Sequence, residues 1–381
     1  MVTESQVLSF DMVRFLAPLR EELHGALERC LRHGTFVLGP EVQTFEGRLA
    51  NYLRCTHAIG VSSGTDALLA TCMALQRTAG HLPPLQSGDD VVTTPFSFIS
   101  SATSVLRAGL RPVFADLQPG RLHPSVDEIE QAWTPRTRAV LVVHLFGEPL
   151  DLIRIKGLCR DRDAVLIEDC AQAIGATFKN GDSVGTAGSA GCFSFFPAKN
   201  LGALGDGGAV VTNHDGLATA VREKRQHGQA VRYQFEHLGG NFRLDALQAA
   251  MLGVLLPHLD DWIAERRRTA ARYLASFAQL ARVRPDLLAL PADVAGHSWN
   301  QFVVRSQDRA TLRNALQTAG IQTQIYYPTA LHQQGALGAA DPAASLPLAE
   351  RACKEVLALP IAPGLTHQEQ TRVIEAVLSA W

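Results

Sequence analysis

Seven short apolar runs recur between residues 57 and 212, at 57–62, 90–94, 111–115, 138–145, 164–168, 190–196 and 207–212, with helical spacing of apolar side chains between most of them. This rhythm leaves few folds open, because such strands need cover on both faces and the intervening helices provide it. The run Ala164-Val165-Leu166-Ile167 reads as a buried parallel strand ending in two acids, Glu168 and Asp169. Open α/β sheets place ligands at the carboxyl ends of their strands, which puts Asp169 at the mouth of a site. Residues 12–32 and 41–54 have helical spacing, separated by turn signals at Gly34 and Gly39-Pro40. Beyond about residue 245 the texture changes: Leu244 to Phe277 reads as one long helix kinked at Pro257, leading into a smaller α/β unit that ends at Trp381. A division into residues 1–245 and 246–381 follows, and 381 residues suffice for two domains. Thr78 to Gly88, with His81, Pro83 and Pro84, reads as a surface loop.

Charge narrows the function. The formal net charge is −2, without the basic stripe that nucleic acid requires, and Arg266-Arg267-Arg268 reads as a solvated helix face. The seven cysteines lack metal-ligand spacing, and their odd number argues for reduced thiols in the cytosol. Met1 to Phe10 has no signal-peptide pattern, and no apolar stretch is long enough to span a bilayer. The expectation is a cytoplasmic protein with no metal, nucleic acid or membrane partner.

The chemistry gathers around Cys192-Phe193-Ser194-Phe195-Phe196-Pro197-Ala198-Lys199-Asn200 and the Gly-rich run to Gly208. A lysine desolvated among Phe193, Phe195 and Phe196 has a lowered pKa and a lone pair free to attack an aldehyde; taken alone, it reads more readily as a surface lysine with a solvated head. Asp169, thirty residues earlier, changes that balance. A lysine and a carboxylate together point to pyridoxal phosphate, with Lys199 joined to the aldehyde and Asp169 holding the pyridine nitrogen protonated. The bland reading of Asp169 is a helix cap. Gly60 to Leu68 is a strand running into a helix start through Ser63, Gly64 and Thr65, either a phosphate cradle or an ordinary capped helix. Phe98 is placed to stack on the ring or to fill the core; Ser194 offers a hydroxyl to the phosphate, and Gln172 reaches the ring's phenolic oxygen.

Ser62-Ser63-Gly64-Thr65-Asp66-Ala67, Glu168-Asp169-Cys170-Ala171-Gln172-Ala173, the segment from Ser194 to Gly202 and Gly205-Asp206-Gly207-Gly208 resemble the DegT/DnrJ/EryC1/StrS family of nucleotide-sugar aminotransferases. The resemblance runs from Phe36-Val37-Leu38-Gly39-Pro40-Glu41 through His144-Leu145-Phe146-Gly147 to Tyr326-Tyr327-Pro328 and Leu331-His332. It implies the aspartate-aminotransferase type of fold (fold type I of the pyridoxal-phosphate enzymes), a large domain with a mixed, mostly parallel sheet and a smaller C-terminal domain. It also implies a homodimer with sites at the interface. Gly239 to Asp245 is similar to the family segment whose asparagine reaches the neighbouring subunit's cofactor phosphate, which singles out Asn241, though a polar turn capping the long helix fits it too. Arg225 and His227 are candidates for substrate contact or for a solvated helix end.

The resemblance implies transfer of the amino group of L-glutamate to a nucleotide-linked keto sugar, with Lys199 as general base and acid. One family branch carries histidine at the lysine position and dehydrates instead; here it is Lys199. Gly320 to Pro328 with Leu331-His332 is most similar to members acting on 3-keto sugars, and Tyr326, Tyr327 and His332 are either hydroxyl or diphosphate contacts or a packed corner. The 4-keto aminotransferases, sugar dehydratases and non-catalytic cofactor-binding regulators stay as alternatives. Ala198 and Glu148 depart from the family's usual serine or glycine and glutamine, and Glu148 near a sheet end bears on what the acceptor pocket tolerates.

Overall fold

The computed structural model describes residues 6–77, 81–337 and 345–381, so the first part of the 78–88 insertion lies outside the described residues. All seven expected runs are strands of one sheet: β1 (His57–Val61), β2 (Asp90–Thr93), β3 (Arg111–Phe114), β4 (Thr137–Val143), β5 (Val165–Asp169), β6 (Ala190–Ser194) and β7 (Gly208–Thr212). Their order is β1-β7-β6-β5-β4-β2-β3. β7 pairs antiparallel with both β1 and β6, and every other pairing is parallel, so β7 alone runs against its neighbours. The carboxyl ends of the other six strands therefore share one edge of the sheet. This is the mixed, mostly parallel sheet that the resemblance implies.

Alternation along the strands fills two cores. Cys192 and Val210 face a cluster with Leu68, Leu141 and Ile167; Phe193, Phe195 and Val211 face another with Phe45, Leu49 and Leu252. Phe45 meets Phe195 edge-on at 5.4 Å between ring centres, a contact of about 0.5–1.5 kcal/mol beyond area burial. The helix Gly64–Leu75 is buried on nearly every side, as its Ala-Leu-Leu-Ala-Thr-Cys composition requires. Irregular residues 81–88 are pinned by Leu85, which is buried and donates its N–H to the Leu75 carbonyl at 2.8 Å.

The long helix expected from Leu244 to Phe277 is two, Ala246–Leu255 and Leu259–Val283, joined by a 3-10 turn at Leu256–His258. Pro257 supplies no N–H to continue the ladder. The first helix packs with Phe45 and Leu49. Tyr273 and Phe277 on the second build a third core with Phe302, Leu312 and Val373, next to an antiparallel pair, Phe302–Arg305 with Val356–Leu359. Of the arginine run on this helix, Arg267 and Arg268 are exposed as expected, but Arg266 is not. Arg266 is buried, and its Nη1 donates to the carbonyls of Trp299 and Asn300, both at 3.3 Å; Arg267 Nε donates to the His297 carbonyl at 2.9 Å. No helix among the described residues is long and apolar enough to cross a membrane. All seven cysteines are free thiols.

Arg225 also departs from expectation. It is buried, with Nη1 donating to Glu46 Oε1 at 2.5 Å and to the Gly60 carbonyl at 2.9 Å, while Glu46 Oε1 accepts from the Gly60 N–H at 2.7 Å. The pair fastens the helix Pro40–Leu53 to β1. Breaking such a pair strands a charge in the interior. Arg225→Met is expected to lower the unfolding free energy by about 3 kcal/mol, measured by urea denaturation.

Candidate active site

The shared edge of the sheet opens on a cavity of about 400 Å³. Lys199 reaches it from a turn that leaves β6: the Lys199 N–H donates to the Phe196 carbonyl at 2.8 Å, and the Ala203 N–H to the Phe195 carbonyl at 2.7 Å. Gly202 closes this turn, since a Cβ there would lie 2.2 Å from the Pro197 oxygen. Burial pushes the Lys199 amine down to about 8, against the opposing pull of Asp169. The apolar shell is not the expected one. Phe193 and Phe195 are buried in the core on the far face, and of the three phenylalanines Phe196 lines the cavity.

Asp169, the last residue of β5, forms the buried floor. Its Oδ2 accepts from Ser101 Oγ at 2.8 Å and its Oδ1 from the Ala171 N–H at 3.1 Å, and Ser101 Oγ pairs with Ser97 Oγ at 2.9 Å. Burial raises its carboxyl pKa, while Ser101, the Ala171 amide and Lys199 oppose the rise. A buried carboxylate with spare lone pairs is suited to a cationic N–H. Its neighbour Glu168 is spent. Oε1 accepts from the Ala187 N–H at 2.9 Å and the Gly188 N–H at 2.6 Å, and Oε2 from the Gly185 N–H at 2.9 Å. His144 Nδ1 accepts from the Leu150 N–H at 3.1 Å, so Nε2 carries the hydrogen and donates to Glu168 Oε2 at 3.0 Å. His144, Glu168 and Cys170 lie within ligand distance of one another, but these donors already occupy the carboxylate.

Opposite the lysine, β1 runs into the helix Gly64–Leu75, whose first amides have no partner within the helix and face anions favourably. Ser63 caps it, Oγ accepting from the Asp66 N–H at 3.0 Å, so the capped start and the cavity wall are one structure. Close packing presses this corner against the lysine strand: a Cβ on Gly64 would fall 2.6 Å from Ser194 Cβ, and one on Gly208 would fall 2.4 Å from the Ser63 carbonyl. Ser63, Gly64, Thr65 and Ser194 all line the cavity. Phe98 does not fill the core; it is 56% exposed at the cavity wall, its ring 6.2 Å from that of Tyr327. Gln172 Oε1 accepts from the Phe146 N–H at 2.7 Å, and Nε2 donates to Tyr327 Oη at 3.2 Å. Tyr326 and Tyr327 complete that wall.

Four expected contacts, Arg225, His227, Asn241 and His332, lie outside this chain's cavity. Arg225 is held by Glu46. His332 is packed in a corner, Nε2 3.1 Å from Glu350 Oε1, its ring 6.4 Å from Phe114. Asn241 is exposed on the segment before the helix Ala246–Leu255, outside this chain's cavity. His227 donates its backbone N–H to the Gly240 carbonyl at 2.9 Å. Glu148 is paired with Arg121, with His123 Nε2 at 3.4 Å, and does not line the cavity. Ser97, Asp206, Asn300 and Gln301 line it without having been expected. Ser97 precedes the helix Ser100–Arg107 and pairs with Ser101 in its first turn, a weak signal, whereas Asn300 and Gln301 come from a segment distant in sequence that only the fold brings near.

An α/β sheet with a lysine of lowered pKa, a buried carboxylate and a helix start around one cavity defines the class of pyridoxal-phosphate enzymes, since these groups fit the cofactor's aldehyde, ring nitrogen and phosphate. The chain belongs to the DegT/DnrJ/EryC1/StrS aminotransferase family, which it matches over residues 18–378. It is 41% identical over 372 residues to a pleiotropic regulatory protein of Geobacillus stearothermophilus, covering 96% of each chain. It is 40% identical over 370 residues to the dTDP-3-amino-3,4,6-trideoxy-alpha-D-glucose transaminase of Streptomyces venezuelae, covering 96% of this chain and 94% of that one. The crystal structure of NtdA from Bacillus subtilis with bound cofactor PMP superposes with a TM-score of 0.90 at 30% identity, over 100% of this chain and 86% of the other.

Proposed function

We propose that the chain is a pyridoxal-phosphate-dependent aminotransferase that moves the amino group of L-glutamate to a keto group, C3 in the leading reading, of a nucleotide-diphosphate sugar, giving an amino sugar and 2-oxoglutarate. The observation that carries this is Lys199, its amine lowered to about 8, facing Asp169 in one cavity. When bound, the cofactor supplies a ring that absorbs the electrons left when a proton departs from the carbon bearing the amino group. Lys199 holds the aldehyde, then moves that proton as base and acid. Asp169 receives the ring N–H; Ser63, Gly64, Thr65 and Ser194 bind the phosphate; Phe98 covers the ring and Gln172 meets its oxygen. Tyr326 and Tyr327 face the sugar.

Asn241 is assigned to the neighbouring subunit's phosphate in a homodimer. Exposed Leu27, Leu31, Phe36 and Val37, and Tyr233, Phe235 and Leu238, support such an apolar interface. Residues 1–245 are read as the cofactor unit and 246–381 as the smaller unit. The free thiols support a cytoplasmic location. C3 is favoured over C4 by the Streptomyces relative's name, and a regulator is the second reading because the Geobacillus relative is named as one.

The test is the visible spectrum of the protein with pyridoxal phosphate before and after L-glutamate. Loss of the visible band on adding glutamate, with formation of 2-oxoglutarate, is the expected result. A band indifferent to glutamate favours another donor, dehydration or regulation, and no band overturns the assignment of Lys199. Screening 3-keto against 4-keto dTDP- and UDP-sugars then tests the carbon.

A further inference from the structure

Asn200, the residue after Lys199, is buried with its amide fully engaged. Nδ2 donates to the carbonyls of Ile174 at 3.4 Å and Ser298 at 3.2 Å, and Oδ1 accepts from Asn300 Nδ2 at 3.1 Å. Two carbonyls facing one end of the Asn200 amide fix that end as nitrogen. Asn300 must then present its own nitrogen to Asn200, which leaves Asn300 Oδ1 as the free atom. That oxygen is buried and has no hydrogen-bond partner, although Asn300 is 2% exposed and lines the cavity. A buried carbonyl without a donor carries an uncompensated desolvation penalty, which a ligand-binding site retains when a donor arrives during its cycle. Asn300 has little freedom to turn away, because its Nδ2 is held by Asn200 Oδ1 and its backbone carbonyl by Arg266.

Lys199 is the cation among the described residues that line this cavity. The oxygens of Asp169 accept from Ser101 and the Ala171 amide, and its spare lone pairs are assigned above to the ring N–H. An amine released from the cofactor needs a further acceptor to fix its direction. We propose that Asn300 is a positioning residue for Lys199: its amide N–H holds Asn200 and the lysine turn, and its Oδ1 accepts an N–H of the lysine amine whenever that amine is free. This rests on the transaminase reading above. Asp169, Asp206, Tyr326 and Tyr327 are the other titratable side chains lining the cavity.

The test compares wild type, Asn300→Ala and Asn300→Asp, each loaded with pyridoxal phosphate, in single turnover with L-glutamate across pH, with thermal unfolding alongside. Asn300→Ala is expected to slow the step about tenfold or more, while the glutamate concentration giving half the maximal rate changes less than about threefold. Asn300→Asp keeps the acceptor, gives up the N–H that holds Asn200 and adds an anion, which stabilises the ammonium and moves the pH midpoint of the rate up by about one unit. Wild-type rates in the alanine variant, or an unmoved midpoint in the aspartate variant, would overturn the proposal, including where both variants are merely less stable. Should the alanine variant fail to fold, the near-isosteric aspartate variant decides alone. A wild-type protein without a visible band removes the transaminase reading and this proposal together; a wild-type band that responds to glutamate, with unaltered variants, removes this proposal alone.

Discussion

Lys199→Ala is expected to lower amino transfer by on the order of 10⁴-fold or more, because it removes both the cofactor's attachment and the base that moves the proton. Its fold should survive. The side chain lines a cavity rather than the core, and Asp169 keeps its bonds from Ser101 and the Ala171 amide when the lysine is gone. The amine in the protein, at about 8, sits below the ordinary lysine value, so it is increasingly neutral as pH rises through about 8. Attack on the aldehyde needs the neutral form. The loading rate of wild type with pyridoxal phosphate, followed by visible absorbance, should therefore climb through that pH and level off above it, and the variant should show no such step. Transfer retained by the variant would place the chemistry elsewhere.

Much of the fold was legible because it depends on local pattern. Each run of the sheet had a period and a length that only a covered strand satisfies, and the glycine-rich and small-residue segments fell at strand ends. Lys199, Asp169 and Ser63 to Thr65 could be found because each sits where a strand hands over to a turn or helix. What sequence could not supply was the direction of side chains on the far side of a turn. Phe193 and Phe195 read as a wall around the lysine, but alternation along β6 sends Phe193 to the opposite core, and Phe195 joins it there. Arg225 read as a ligand contact or a solvated helix end, but it is buried, and the half-buried Glu46 that claims it lies 179 positions away. Of the two readings of His332, the packed corner holds: Glu350 takes its Nε2.

The same distance hid the residues behind the site. Ser101 reaches Asp169 across 68 positions and Asn300 reaches Asn200 across 100; neither carries a motif, since a serine or asparagine is ordinary until a partner is placed beside it. Arg266 read as solvated for the opposite reason. A triple-arginine run looks polar, yet one member of a helix turn always faces inward, and here the inward one finds two peptide carbonyls.

Asp169→Asn separates the electrostatic role of that carboxyl from its structural one. The asparagine is isosteric: its oxygen can keep the Ala171 N–H, and its NH₂ can donate to Ser101 Oγ, whose hydrogen then turns to Ser97 Oγ 2.9 Å away. Burial already disfavours the charged carboxyl in the protein alone, so removing the charge should leave thermal stability equal or slightly raised. Function should move the other way. Without an anion on the floor, the ring nitrogen loses the partner that keeps it cationic, and turnover should fall on the order of 10²–10³-fold. The check is single-turnover kinetics with L-glutamate beside a thermal melt. A slow but stable variant assigns Asp169 to the chemistry; an unchanged rate would make it no more than the buried cap that its bonds to Ala171 and Ser101 also allow.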